Sequence, residues 1–223
     1  MAIAPPKPPF TLLQRIKAID GELSRRLHTL FHPYLPTLFL LLLEFSADFR
    51  FFFPVSLALL LSPLSVTLLP FLSPFILGLL LDLAIVGLIK ILFRRPRPPY
   101  NPSMCPAVSA DNFSFPSGHA SRVFFVASMV SVSSQVIGAA LRGNGIGFVR
   151  QWLGGDVEKV VGVLVVVVCV WAAVTAASRV LLGRHYVFDV VAGSCLGVAE
   201  GLFAFWFLRF EKNFSMIIYQ RIV

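Results

Sequence analysis

Apolar residues follow two patterns along this chain. In the first, Leu12, Leu13, Ile16, Ile19, Leu23, Leu27 and Leu30 recur every three or four residues, with Arg15, Lys17, Arg25 and Arg26 among them. That spacing predicts an amphipathic helix, started by a capping box of Thr11 and Gln14. Its basic polar face suits a helix lying on a membrane surface, and it suits equally a helix packed on the chain's own spans. In the second pattern, apolar residues run on without period. Phe71 to Phe93, Gly118 to Ala140, Val160 to Ala177 and Val190 to Leu208 each approach or exceed the ~20 residues needed to cross a bilayer. Between Tyr34 and Phe71 the apolar run is broken by "EFSADFR" (Glu44 to Arg50) and by prolines, which predicts two shorter membrane segments joined by a polar turn.

Composition agrees with this reading. Of 223 residues, 57% are hydrophobic and 13% charged, too apolar for an ordinary soluble domain. The expected fold is all-α: one polytopic membrane bundle of about six transmembrane helices over 33–210, preceded by a tail and interfacial helix at 1–32 and followed by a tail at 211–223. No repeat of solenoid period occurs. The net charge of +8 is not arranged as a basic stripe interleaved with aromatics, so anionic lipid is the expected counterpart and nucleic acid is not. Cys105, Cys169 and Cys195 form no CxxC pair, so neither a zinc site nor a disulfide framework is expected. The N-terminal stretch lacks the continuous apolar core of a cleaved signal, so insertion is expected to rest on the internal spans.

Alternation of spans places the connection Arg94 to Phe115 and the turn Ser178 to Tyr186 on one face, because two crossings separate them. If the broken region before Phe71 crosses twice, the opposite face carries Lys7, Arg15, Lys17, Arg25, Arg26, Arg142, Arg150, Lys159, Arg209, Lys212 and Arg221. The positive-inside rule then makes the termini cytosolic and turns the polar connections toward a lumen or the exterior.

Those polar connections hold three clusters: Lys90, Arg97 and Pro98 in "KILFRRPRP"; Ser117, Gly118 and His119 in "FPSGHAS"; Ser178, Arg179, His185 and Asp189 in "SRVLLGRHYVFD". A Lys, Arg or Asp at the membrane centre costs roughly 2.5–3.5 kcal/mol on insertion scales, so cations converging there imply an anionic partner. A phosphate fits. His185 and Asp189 are four residues apart and share a helix face if the last helix begins at the turn. The carboxylate can then accept from one ring nitrogen and leave the other nitrogen's lone pair free to attack phosphorus. His119 follows Ser117 and Gly118 at a helix N-terminus, where free N–H groups favour phosphate, and it can protonate the leaving oxygen. His185 is expected neutral and His119 cationic beside the bound anion. Lys90, Arg97 and Arg179 would neutralise the phosphoryl oxygens. No carboxylate cluster offers a Mg²⁺ site, so no metal and no cofactor are expected. Arg94, Arg95 and Arg184 read as interfacial flanks, Arg122, one turn after His119 and outside the catalytic set, as an aid to the site or a partner for a neighbouring group, and Asp82 and Glu200 as buried polar links between helices.

The ordered pattern of Lys90, six residues, Arg97-Pro98; then Pro116-Ser117-Gly118-His119; then Ser178-Arg179, five residues, His185, three residues, Asp189 resembles the type 2 phosphatidic acid phosphatase superfamily. The resemblance covers about Leu81 to Leu208. Within the superfamily the chain looks most similar to eukaryotic lipid phosphate phosphatases, including the branch acting on polyisoprenoid diphosphates such as presqualene diphosphate. It implies a six-helix bundle and metal-independent dephosphorylation. By the same resemblance His185, His119 and Asp189 are catalytic, and Lys90, Arg97, Ser117, Gly118 and Arg179 bind phosphate. The gap between the second and third motifs, containing "RGNGIGFVRQWLGGD", is longer than the family pattern. The expected activity is release of phosphate from phosphatidate or a related lipid phosphate or isoprenoid diphosphate, in the endoplasmic reticulum or another endomembrane. The competing readings are an anion-binding transporter or scaffold without turnover, and a phosphatase of soluble phosphates.

Overall fold

The computed structural model describes residues 11–62, 65–100, 112–143 and 156–209. Cys105, most of the long gap between the second and third motifs, and the tail after Arg209 lie outside these residues, as does Lys7. Within them the chain is helical: α1 (Leu12–Phe31), a 3₁₀ turn (His32–Tyr34), α2 (Thr37–Ser46), α3 (Phe49–Leu60), α4 (Ser65–Phe93), α5 (Gly118–Val132), α6 (Ser134–Gly143), α7 (Val157–Leu181) and α8 (Val187–Phe207). Side chains start several of them. Asp48 accepts from Arg50 N at 2.9 Å, Ser117 from Ala120 N at 3.4 Å and Asp156 from Lys159 N at 3.2 Å, each satisfying an orphan donor of a first helical turn.

Among the described residues only α4, α7 and α8 are long and apolar enough to cross a membrane alone; counting bent helix pairs as single spans gives up to five. The expectation of about six spans is therefore too high among the described residues. α2 and α3, at 10 and 12 residues, are each too short to cross. The helices are apolar outside as well as inside. Leu80, Leu83, Leu88, Val163, Val166, Val170, Val191 and Trp206 are exposed, as suits surfaces solvated by lipid tails.

Because lipid solvates these faces, helix association has to come from close packing rather than from apolar burial. α5 and α8 supply it. Gly193, Gly197 and Gly201 recur every fourth residue along α8. A Cβ at Gly193 would strike the Ser117 carbonyl, and one at Gly197 the Ser121 carbonyl, so the two backbones touch where only hydrogen fits. Beside this seam Phe75 and Leu79 of α4, Phe125 and Met129 of α5 and Ala204 of α8 form the buried core. The seam ties Ser117, at the head of α5, to the first turn of α8.

The amphipathic helix forms where its periodicity places it, but on the other face from the one expected. His28 Nδ1 donates to the Leu181 carbonyl at 2.6 Å, Ser24 accepts from Val187 N at 2.9 Å and Asp20 from Phe188 N at 3.1 Å. α1 therefore lies at the end of the bundle where α7 ends and α8 begins. α8 runs 21 residues away from that end, so the chain crosses an odd number of times between α1 and Leu208. The described residues 32–62 therefore lead from the α1 end of the bundle toward the far end once and not twice. Arg15, Lys17, Arg25 and Arg26, on α1, consequently fall on the same face as Arg94, Arg95, Arg97 and Arg184, and the charge asymmetry that pointed this face toward a lumen disappears.

Candidate active site

All three clusters meet at this end of the bundle, through backbone contacts. α4 stops after Phe93, one turn beyond Lys90, because Arg94 takes a left-handed conformation, φ 47°, and prolines follow it. The Arg-Pro stretch then pairs with the segment before His119: Pro96 bridges Phe113 antiparallel, and Ser114 N donates to the Arg95 carbonyl at 2.8 Å. Ser117 N donates to the Asp189 carbonyl at 3.0 Å, joining the second cluster to the third. At the end of α7, Gly183 supplies the left-handed turn, φ 66°. There Leu182 N bonds the Ser178 carbonyl at 2.8 Å and His185 N the Arg179 carbonyl at 3.2 Å. The turn points His185 inward, where it is 1% exposed.

The His185 ring is oriented by a group that nothing in the sequence singles out. Its Nδ1 lies 2.7 Å from the Ser114 carbonyl. A carbonyl only accepts, so Nδ1 carries the proton and Nε2 keeps its lone pair. Asp189, expected to hold the ring directly, stands behind it with Oδ2 3.9 Å from Nδ1. That carboxylate is taken up by Tyr186 N at 2.9 Å and by Arg95 Nη1 at 2.8 Å. Burial, followed by the charges of Arg97, Arg179 and Lys90, holds the His185 imidazole well below its ordinary range, against the opposing pull of the Ser114 carbonyl. The resting ring is neutral.

Arg97 Nη1 sits 3.4 Å from His185 Nε2 and donates to the Arg184 carbonyl at 2.9 Å. Lys90 and Arg179 are 5% and 1% exposed. His119, in the first turn of α5, lies within the field of Arg179, Lys90 and Arg97, the same three cations that act on His185. The charges of these three cations thus act on both imidazoles. Gly118 beside His119 faces α4 so closely that a Cβ there would lie 3.2 Å from Val86 Cγ1.

Glu44, Asp20 and Arg95 also reach this region, although nothing in the sequence marked them. Glu44, at the end of α2, grips Arg179 with both oxygens, Nη1–Oε2 3.0 Å and Nη2–Oε1 3.2 Å. It also lies 3.7 Å from Arg184 Nε. Arg95 is no interfacial flank: it bridges the buried carboxylates of Asp189 and Asp20, the latter at 2.7 Å. Deeper in the bundle Arg122 pairs with Asp82 at 3.0 Å, and Ser121 donates to Glu200 at 3.4 Å. These are the expected polar links between helices.

Comparison with known proteins shows the family and the fold. The sequence profile of the PAP2 superfamily matches residues 71–213. A protein of Arabidopsis thaliana described as "Probable lipid phosphate phosphatase beta" is 56% identical over 202 residues, which is 88% of this chain and 92% of that protein. The crystal structure of a transmembrane PAP2-type phosphatidylglycerolphosphate phosphatase from Bacillus subtilis superposes with a TM-score of 0.62. It covers 90% of this chain and 89% of the bacterial one at 20% identity, a likeness of fold.

Proposed function

The chain belongs to the PAP2 superfamily, and from that premise we propose that it is a lipid phosphate phosphatase working without a metal ion, through a phosphohistidine on His185. One observation carries the reading. The Ser114 carbonyl fixes the Nδ1 proton of a buried, neutral His185, while Nε2 faces Arg97 at 3.4 Å, one of the cations whose charge also acts on His119.

The phosphoryl group of the substrate enters among Lys90, Arg97 and Arg179, which neutralise its oxygens as the P–O bond breaks. Ser117, whose own N–H is held by the Asp189 carbonyl, and Gly118 set the head of α5 beside the same oxygens, where a helix N-terminus favours an anion. His185 Nε2 attacks phosphorus, and its lone pair becomes the N–P bond. His119, cationic beside the anion, gives its proton to the departing alkoxide. Water then attacks the phosphohistidine, His119 takes the water proton, and the N–P electron pair returns to Nε2 as inorganic phosphate leaves. Asp189 supports the imidazolium electrostatically from behind. The arginine and lysine charges serve where other phosphatases use a metal, since the nearby carboxylates Glu44, Asp20 and Asp189 are already held by arginines.

The proposed substrate is phosphatidate or a related lipid phosphate or isoprenoid diphosphate. Its headgroup would enter sideways at the interface while its chain stays in hydrocarbon. The exposed apolar faces of α4, α7 and α8 support that route. The test is phosphoenzyme trapping: purified protein in mixed micelles with labelled phosphatidate and EDTA, quenched in alkali. We expect an acid-labile, alkali-stable phosphohistidine that disappears in His185→Ala. Full turnover in His185→Ala, or activity abolished by EDTA, would remove the reading. Unaltered phosphate binding without any turnover in the wild type would favour a transporter or scaffold instead.

A further inference from the structure

Asp20 and Ser24 stand out on α1: both are completely buried on a helix whose Leu12, Leu13, Ile19 and Leu23 are exposed. Within α1, Ser24 Oγ donates to the Asp20 carbonyl at 2.6 Å. Both point at the α7–α8 turn, where they do for α8 what a helix usually obtains from its own capping residue. Ser24 Oγ accepts from Val187 N at 2.9 Å and Asp20 Oδ1 from Phe188 N at 3.1 Å, so two orphan donors of the first turn of α8 are satisfied by another helix. Asp20 Oδ2 accepts from Arg95 Nη2 at 2.7 Å. The same guanidinium reaches Asp189 Oδ1 through Nη1 at 2.8 Å and lies over the Tyr186 ring at 4.1 Å.

We propose that Asp20 is a positioning residue for the reaction, acting from α1 through Arg95 on Asp189 and through the Phe188 amide on the turn that carries His185. Arg95 is one cation between two buried carboxylates. With Nη2 anchored by Asp20, it presents only Nη1 to Asp189. The other Asp189 oxygen is then left for Tyr186 N, facing His185 Nδ1 at 3.9 Å. Without that anchor, Arg95 is free to close with both amino groups on Asp189, or to turn toward the bound phosphate. In either case the carboxylate behind the nucleophile moves. Because Asp20 does not touch the phosphate pocket, it governs the attack and not substrate capture. Seating α1 against the bundle is therefore a condition for an aligned nucleophile. The inference rests on His185 being that nucleophile.

The test uses the full chain with phosphatidate in mixed micelles. It compares wild type, Asp20→Asn and Asp20→Glu for kcat, KM, inhibition by orthovanadate, rate of phosphohistidine formation and thermal midpoint. Asp20→Asn is expected to lose kcat and the rate of phosphohistidine formation by about tenfold, the lower end of what a supporting hydrogen bond behind a reactive group contributes. KM and the orthovanadate inhibition constant should stay within about twofold. Asp20→Glu, which keeps the charge, should recover about half of kcat or more. Unchanged kcat in Asp20→Asn overturns the inference. So do parallel losses in KM, orthovanadate binding and thermal midpoint, an Asp20→Glu variant no better than Asp20→Asn, or failure of both variants to fold, since each outcome leaves only a structural role. A wild type that forms no phosphohistidine overturns the proposed function and this inference together; a wild type that forms it, with kinetics indifferent to Asp20, overturns the inference alone.

Discussion

Glu44 holds the guanidinium of Arg179 with both carboxylate oxygens, at 3.0 and 3.2 Å, across 135 residues of sequence. An arginine that is 1% exposed would otherwise be a buried charge with a strongly unfavourable solvation term. The carboxylate serves two ends. It fixes the plane of the fork, and it subtracts one charge from a pocket that also contains Lys90 and Arg97.

Glu44→Gln therefore separates aim from attraction. With one negative charge gone, product phosphate should bind more tightly, by about tenfold for a charge a few ångströms away in a partly screened site. Turnover should fall, because Arg179 is no longer directed at the transferring group. Inhibition by inorganic phosphate measured beside kcat checks this. Weaker phosphate inhibition in the variant would mean that Glu44 does no more than build the pocket.

The pH dependence follows from His185. Attack requires the neutral ring, and burial together with Arg97, Arg179 and Lys90 keeps the imidazole below its ordinary value. The acid limb of kcat/KM, which reports the free enzyme, should accordingly lie below the ~6.5 of an unperturbed histidine, with activity falling as the pH drops through it. A limb at or above 6.5, measured on phosphatidate in micelles of constant composition, would show that the cations do not face His185 in the resting enzyme.

What could be seen in the sequence was what a long run or a misplaced charge reveals. α4, α7 and α8 are uninterrupted apolar stretches. Lys90, Arg97, Arg179, His185 and Asp189 announce themselves as ionisable groups at membrane depth, and Ser117, Gly118 and His119 as a helix start. Contacts made by common groups left no mark. Any residue at position 114 offers the carbonyl that orients His185, and Asp20 and Glu44 look like the solvated acids of a polar face or turn. The side of the membrane on which α1 lies was misjudged for a related reason. Apolar residues between Tyr34 and Phe71 count the same whether they cross once or twice, and the 115° bend between α1 and α2 is not encoded in their composition.

His119 should be distinguishable from His185 by the leaving group. General acid catalysis contributes about 10²–10⁴-fold where the leaving oxygen is basic and little where it is not. In His119→Ala, single-turnover phosphohistidine formation from phosphatidate should slow by that factor, while formation from a micellar 4-nitrophenyl phosphate should slow by less than about tenfold. Nitrophenol should then appear as a burst, because the variant also lacks the base for the second step. Equal slowing of both substrates would assign His119 to binding alone.

The seam between α5 and α8 can be tested without touching any of these groups. Gly197 lies against the Ser121 carbonyl and Phe125 N, whereas Gly162 of α7 has open space where a side chain would begin. Gly197→Ala must part the two helices, and overpacking of this kind costs about 1–3 kcal/mol. Because Ser117 is hydrogen-bonded to the Asp189 carbonyl at the head of the same seam, the displacement is carried to His119 and Asp189. The variant should lose thermal stability in detergent and most of its turnover together, and Gly162→Ala should lose neither. A Gly197→Ala protein that melts earlier yet turns over at the wild-type rate would show that the site is positioned by the α7–α8 turn alone, without the helix seam beneath it.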